Sequence, residues 1–447
     1  MITNDILLTP EMMKVWAMTV TPGSGHVFVT GKAGSGKTTF LKYLKDMSAK
    51  SVVITAPTGV AAVNAGGVTL HSLFMIPLGP LTPETPLKPN FNRNKKDTIR
   101  NMDILIIDEV SMVRPDVLDK VDQRLRELRK NSRPFGGVQV IMFGDPFQLP
   151  PVVPDSEWSI LKNHYSNPYF FGANVWKESG FQVVELKKIF RQTDSRFIDI
   201  LNNLRVYKLT SQDMQDLGGL IASSKINSVP KDILEKTIHL CTHKQEANYI
   251  NEEFMKNLVS STGVKTTVYE GKIQDKFPTN SCPVPESIPL CPGARVMSLI
   301  NLPDEDCYNG SLGTVLNCDK ESVTVKLDSG REIDFNKYTW INSEYVVDKV
   351  TKKVISTPVG SYTQIPLIPA WAITIHKSQG LTFDNIYLHI KNVFSPGQLY
   401  VAMSRCRNLE GILTDVSIGP SMIIPNTELL EFVDYLKEHG DYYTKRL

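Results

Sequence analysis

The 447-residue sequence predicts an α/β protein built from two parallel-sheet domains in tandem, the second interrupted by an antiparallel β insertion. Two observations carry this. Short β-branched, apolar runs alternate with helical stretches at 26–30, 51–56 (SVVITA), 104–107 (ILII) and 138–143. Uninterrupted apolar strands of this kind are buried on both faces by helices. The alternation resumes at residue 183 and returns again at 370–390. Between them, 293–335 holds GARVMSLI, GTVLNCD, SVTVKLD and REIDF, parted by the Asn309-Gly310 and Ser329-Gly330 turns. That is the pattern of a small antiparallel barrel.

Composition narrows the function classes. Hydrophobic residues at 41% and charged residues at 21% exclude extensive disorder, collagen and coiled coil as whole-chain readings. Lys plus Arg (49) nearly balances Asp plus Glu (47), so any basic surface for nucleic acid is local. The six cysteines, Cys241, Cys282, Cys291, Cys307, Cys318 and Cys406, form no CxxC pair, which points to free thiols in a reducing compartment. No apolar run approaches 18 residues, so no membrane partner is expected. The first 30 residues hold one Lys and no Arg, against a secretory or mitochondrial leader.

Three motifs carry chemistry. Gly31-Lys-Ala-Gly34-Ser35-Gly36-Lys37-Thr38 fits GxxxxGK[ST] between a strand and a helix. Glycines let backbone N–H groups wrap phosphate, and a helix N-terminus favours the anion. Lys37 reaches the β- and γ-phosphates and the Thr38 hydroxyl suits Mg²⁺. Asp108-Glu109 closes the ILII strand, at the end where parallel sheets bind ligands. Asp108 suits the metal shell and Glu109 the activation of water, which leans toward hydrolysis. Gly144-Asp-Pro-Phe-Gln148 follows the fourth strand, where Gln148 can sense the γ-phosphate.

Two other segments stand out. Residues 77–94 carry Pro77, Pro80, Pro83, Pro86 and Pro89, so they form neither helix nor central strand. A helix at 117–129 puts Val117, Val121, Leu125 and Leu128 on one face; Lys120, Arg124, Arg126 and Arg129 read as its solvated side. Phe74, Phe91, Trp158, Trp340 and Trp371 read mostly as core.

GKAGSGKTT, APTGVAAVNAGGVTLHSLF, IIDEVSM, FGDPFQLPPV, FRQ, AITIHKSQGLTFD and YVAMSRCRN occur in this order from Gly31 to Asn408. Together they resemble the PIF (petite integration frequency) family of superfamily 1B helicases, with RecD-like and Dda-like cousins. Residues 116–140 resemble that family's own signature. The resemblance implies two RecA-like domains: 1–65 with 97–180, and 181–293 with 368–447. It implies a wedge insertion at 66–96 and an SH3-like β module at 294–367. Gly31, Gly34, Ser35, Gly36, Lys37, Thr38, Thr39, Gln148, Gln379 and Gly380 are then nucleotide contacts. Thr38 and Asp108 hold Mg²⁺, and Lys37, Glu109, Arg191 and Arg405 are catalytic. Thr58, Thr69, His71, His376 and Lys377 contact DNA. The stretch Leu8-Thr9-Pro10-Glu11-Met12-Met13 stands where the family often has an adenine-reading Gln.

The implied activity is ATP-dependent 5′-to-3′ movement on single-stranded DNA, unwinding forks and G-quadruplexes in replication, repair or telomere maintenance. The implied state is a monomer in a bacterial or phage-infected cytoplasm, or a nucleus if eukaryotic. A P-loop phosphotransferase and a non-catalytic nucleic-acid binder are the alternatives the motifs leave open.

Overall fold

The computed structural model describes residues 8–87, 93–192, 194–220, 237–348, 351, 354–414 and 416–439. Two compact units divide the chain. The first takes in Met1–Phe190, Ser343–Val359 and Asn426–Leu447; the second takes in Arg191–Asn342 and Gly360–Pro425.

The first unit is organised by β1 (Val27–Gly31), β2 (Val52–Ala56), β3 (Val68–Thr69), β4 (Ile104–Ile107), β5 (Gln139–Phe143) and β6 (Gln182–Leu186). They pair in parallel in the order β3-β2-β4-β5-β1-β6. β1, β2 and β4 are buried at every residue, as expected of strands covered on both faces. Helices α1 (Pro10–Val20) and α2 (Lys37–Met47) supply Met12, Val15, Phe40, Leu41 and Leu44 to the core beneath Val27, Val29, Ile54, Ile106 and Ile141. Thr9 caps α1 by accepting from the Met12 amide, with Pro10 at the first helical position. Further helices are α3 (Gly59–Ala65), α4 (Leu70–Phe74), α5 (Arg93–Asn101) and α6 (Pro115–Arg129).

The second unit has a parallel sheet of β7 (Ile238–Cys241), β18 (Ala372–Thr374), β19 (Ile386–His389) and β20 (Ile412–Thr414), ordered β18-β7-β19-β20. Between β7 and β18 lie the antiparallel strands β8 (Thr267–Glu270), β9 (Lys272–Asp275), β10 (Ser287–Leu290), β11 (Arg295–Ser298), β12 (Leu312–Cys318), β13 (Ser322–Leu327), β14 (Glu332–Asn336), β15 (Tyr338–Val347), β16 (Val354–Gln364) and β17 (Leu367–Pro369). Five form one sheet, β14-β13-β12-β11-β17; β10-β8 and β15-β16-β9 form two smaller ones.

Several boundaries differ from expectation. β6 pairs with β1 (Val29↔Val184), so the division expected at residue 180 falls one strand early. The helix Thr427–His439, expected in the second domain, stacks Phe432 on Phe171 at 3.9 Å in the first unit. The β insertion starts at β8, before residue 294. Part of it, Ser343–Val359, belongs to the first unit, where the Tyr345 hydroxyl accepts from the Ile54 amide. The wedge segment is shorter than 66–96, because Ala56↔Thr69 pairing and buried Leu70 and Phe74 tie 68–74 into the sheet layer.

The cationic side of α6 is only partly solvated: Lys120 and Arg124 are 2% and 4% exposed, while Arg126 and Arg129 are half-buried. Lys120 Nζ donates to the Pro83 and Thr85 carbonyls at 3.0 and 2.8 Å. Arg124 Nε donates to Phe74 O, and Arg129 Nη1 to the carbonyls of Ile99, Arg100 and Met102. These carbonyls close helices or lie in irregular backbone, so side chains satisfy them. Arg114 and Asp116 hold the same loop through Gly79 O and the Leu81 amide. Residues 88–92, which include Pro89 and Phe91, lie outside the described residues. Trp340 and Trp371 are core, as expected. All six cysteines are free thiols. Among the described residues no helix is long and apolar enough to cross a membrane.

Candidate active site

Parallel pairing lines up the carboxyl ends of β1, β4, β5, β2 and β3 along one edge. The turn between β1 and α2 is the expected cradle. Gly34 and Gly36 sit at φ +79° and +82°, a region other residues enter at a cost. A Cβ on Gly31 would lie 2.8 Å from Ser35 Oγ and 2.9 Å from Leu186 O, so only glycine fits. Lys37 Nζ donates to Gly31 O at 2.7 Å and Lys32 O at 3.1 Å, which fixes the ammonium over the loop. Ser35 Oγ is buried with no hydrogen-bond partner, an orphan that a phosphate oxygen would satisfy. Thr38 and Thr39 open α2 on its exposed side.

Asp108 follows β4 and is 6% exposed. Burial, and then neighbouring Glu109, push its carboxyl up to about 7, while Lys37 and Lys42 pull it back. This is a donor that gains from a bound cation. Glu109 takes φ +48° and ψ +44°, strained for a residue with a Cβ. Its amide donates to Asp108 Oδ1 at 2.9 Å. Gly144 makes the next close approach: a Cβ there would stand 2.9 Å from Val110 Cγ1. Asp145 then shapes the turn through the Phe147 and Gln148 amides, and Gln148 is buried.

Met12, which stands in the stretch where the family often has an adenine-reading Gln, faces the loop together with a ring that sequence reasoning missed, Phe190. A Cβ on Gly36 would meet Met12 Cε at 3.5 Å and the Phe190 ring at 3.6 Å, so the loop runs between a thioether and an aromatic ring. The Phe190 amide donates to Gly34 O, and its ring is 47% exposed. The only signal was an aromatic beside Arg191 in FRQ.

Thr58 and Thr69 are the N-caps of α3 and α4, their hydroxyls accepting from the Ala61 and Ser72 amides. Capping accounts for both hydroxyls while leaving the two helix starts on the sheet's carboxyl edge. His71 sits in the first turn of α4; burial, then Arg114, hold its pKa below the usual value.

In the second unit four expected residues come together. Arg191 donates to Ser404 O at 3.2 Å and to Gly380 O at 3.1 Å. Arg405, 1% exposed, donates to Val401 O, Ser378 O and Ser404 Oγ. Gln379 lies between these anchors, and its Nε2 is buried without a partner. Gly380 sits at φ +81°. Burial lowers the Arg191 pKa to about 10, which leaves it charged. His376 and Lys377 follow β18; burial lowers both pKa values, and Lys244 adds to the shift at Lys377.

A parallel sheet, a glycine cradle opening a helix after β1, and an acidic pair at the end of β4, with β5 between the two strands, define a P-loop nucleotide-binding protein of the RecA-like α/β class. Comparison with known proteins makes the assignment specific. The PIF1-like helicase family model matches residues 9–215. The ATP-dependent DNA helicase Pif1 of Bdellovibrio bacteriovorus is 30% identical over 438 residues, covering 96% of this chain and 92% of that protein. The mouse ATP-dependent DNA helicase PIF1 is 32% identical over 92% of this chain. The chain spans 60–62% of the mouse, frog and rat proteins. The crystal structure of Bacteroides sp Pif1 with ADP-AlF4 is 49% identical, covers 98% of each chain and superposes with a TM-score of 0.90. The crystal structure of Bacteroides Pif1 bound to single-stranded DNA is 48% identical over 99% of this chain, with a TM-score of 0.69. The chain belongs to the PIF1-like helicase family.

Proposed function

We propose that this protein is an ATP-driven DNA helicase that moves 5′ to 3′ on single-stranded DNA. Forked duplexes and G-quadruplexes are its substrates, in replication, repair or telomere maintenance. The observation that carries the reading is the completeness of the motor's parts. Cradle, acidic pair and Gln148 share one strand edge, and Arg191, Arg405, Gln379 and Gly380 share one cluster in the second unit. A phosphotransferase needs no such second cluster, and a passive binder needs neither set. The Bacteroides relative was crystallised with ADP-AlF4 and with single-stranded DNA, and a Pif1 structure 48% identical to this chain concerns unwinding at forked duplex DNA.

Each residue then has a task. Lys37 and the amides of 31–38 hold the β- and γ-phosphates of ATP. Ser35 offers them an otherwise unpaired buried hydroxyl. A magnesium ion held by Thr38 and Asp108 would spread phosphate charge. Glu109 activates the attacking water, Gln148 senses the γ-phosphate, and Arg191 and Arg405 neutralise charge as the bond breaks. Met12 and Phe190 clamp the base by apolar contact, so base selectivity is loose. Thr58, Thr69, His71, His376 and Lys377 line the strand, residues 77–94 act as the wedge, and the antiparallel module is SH3-like. The protein works as a monomer in a bacterial cytoplasm, or in a nucleus if eukaryotic; its likeness to the Bacteroides and Bdellovibrio proteins supports the bacterial source. Strand displacement tests it: 5′-tailed duplexes should open with ATP and 3′-tailed ones should not. ATP hydrolysis indifferent to single-stranded DNA would refute the motor.

A further inference from the structure

The second unit's sheet carries an exposed aromatic ring that the roles above leave unused. Phe394 lies in the segment after β19 and is 55% exposed. A lone exposed Phe is ordinary; this one is held in place. Its amide donates at 3.1 Å to Oε1 of Gln398, which is fully buried at the start of the helix Gln398–Met403. Gly397, at φ +73°, makes the turn between them. The His243 ring rests against the Phe394 ring with centroids 5.0 Å apart, and a His243 ring nitrogen is tied to Thr242 Oγ1 at 2.9 Å. The ring is therefore presented to solvent on an anchored backbone, with His243 against it.

Its neighbours are basic. Lys244 follows His243 and opens the helix Lys244–Thr262. Lys377 is near enough for Lys244 to disfavour its charge. These groups rise from three adjacent strand ends: β7 pairs with β18 at Thr374↔Cys241 and with β19 at His389↔Cys241. A fixed ring beside cations is what a single strand recognises. Phosphates neutralise the ammonium groups while an unpaired base stacks, whatever its identity. A duplex hides the faces of its bases and gains nothing from such a ring.

We propose that Phe394, braced by His243, is the stacking platform for one base of a single DNA strand whose phosphates lie against Lys244 and Lys377, an inference that rests on the single-strand reading above. The test is fluorescence-anisotropy binding of an oligo-dT in which one abasic residue is walked along the strand. With the full chain, one abasic position should weaken binding by roughly 5- to 150-fold, the range of one stacked base. Phe394→Leu, which keeps an apolar side chain, should weaken binding of intact oligo-dT by the same factor and lose that position's penalty. Phe394→Trp should restore both. The salt dependence of binding should be the same in all three, because no cation is removed. A position-specific penalty that persists in Phe394→Leu, or a changed salt slope, overturns the platform while leaving strand binding intact. Failure of the full chain to bind oligo-dT at all overturns the strand reading, and the platform with it.

Discussion

Lys120 gives the sharpest test of how the first unit holds its Pro-rich loop. Its ammonium donates to Pro83 O, Thr85 O and Gln123 Oε1 at 3.0, 2.8 and 2.9 Å. Lys120→Met keeps the apolar stem and removes all three bonds. A bond from a charged donor contributes about 1.5–3 kcal/mol, so the simple sum is about 4–9 kcal/mol. The loop is at the surface, however, and its freed carbonyls can turn to water. A loss of about 2–4 kcal/mol follows, roughly 30- to 900-fold in the equilibrium that orders residues 82–85. Leu81 and Gly79 remain tied to Asp116 and Arg114, so the base of the loop should stay closed. Hydrogen exchange should show the Thr85 amide, which donates to Thr82 O, exchanging at least tenfold faster, with the Leu81 amide still protected. The ATP cradle is elsewhere, so DNA-stimulated hydrolysis should stay near wild type while duplex unwinding falls several-fold. Unchanged exchange and unchanged unwinding would refute the pin; an equal loss of hydrolysis would show that Lys120 acts on the cradle.

Other perturbations separate the remaining roles. Glu109→Gln should bind ATP normally and slow single-turnover hydrolysis by at least about 100-fold, the usual worth of a general base; near-normal turnover removes Glu109 from that role. Arg191→Lys and Arg405→Lys keep charge but lose the planar fork, and each should cut turnover by on the order of 10³ at saturating ATP and DNA. A loss of only a few-fold in both would deny them the phosphates. Acid should weaken the fold through two histidines. Burial lowers His26, and burial with His389 lowers His239, each from 6.5 to about 4. Depressed imidazole pKa values favour the neutral folded form, so this stability is full above pH 6.5 and is lost as pH falls through 4. The loss is at most about 3 kcal/mol per histidine. His26 accepts from the Val140 amide, so His26→Asn, which keeps an acceptor, should flatten the melting temperature between pH 6.5 and 4. A fall as steep as in the unaltered protein assigns the loss to other groups.

Strands β1, β2, β4 and β5 were legible to within a residue or so because a strand buried on both faces must be apolar throughout. β3 was not, since two residues carry no periodicity. β6 reads as a strand, but only its register with β1 shows which sheet it joins. The glycine turn after β1 and the acidic pair after β4 could be placed from the sequence, because the chemistry proposed for them demands particular residue types at fixed spacing, and the structure sets both at carboxyl ends of one parallel sheet. The role of α6 was not legible. A lysine facing solvent and one facing buried carbonyls look identical in a helical pattern. The carbonyls that capture Lys120, Arg124 and Arg129 come from segments 27 to 50 residues away. Phe190 was hidden for the same reason: only the fold sets it across Gly36 from Met12, whose place near the nucleotide the sequence had suggested.

The anchoring of Arg191 explains how an arginine can be positioned without being spent. Its two described hydrogen bonds go to backbone carbonyls, Ser404 O and Gly380 O, and not to a carboxylate. A carboxylate would orient the guanidinium equally well but cancel its charge, and a phosphate would then have to displace an anion. Carbonyl dipoles orient the fork and leave the full positive charge, even though burial lowers its pKa to about 10. Gln192 Nε2 donates to the same Ser404 carbonyl and to Cys406 O, so the segment after β6 is fastened to the turn that carries Arg405. The two arginines thus share Ser404 as an anchor, Arg191 through its carbonyl and Arg405 through its hydroxyl. Moving that turn moves both. Loss of either anchor should therefore reach the other arginine, so substitutions at the two should affect turnover non-additively if both serve it as proposed.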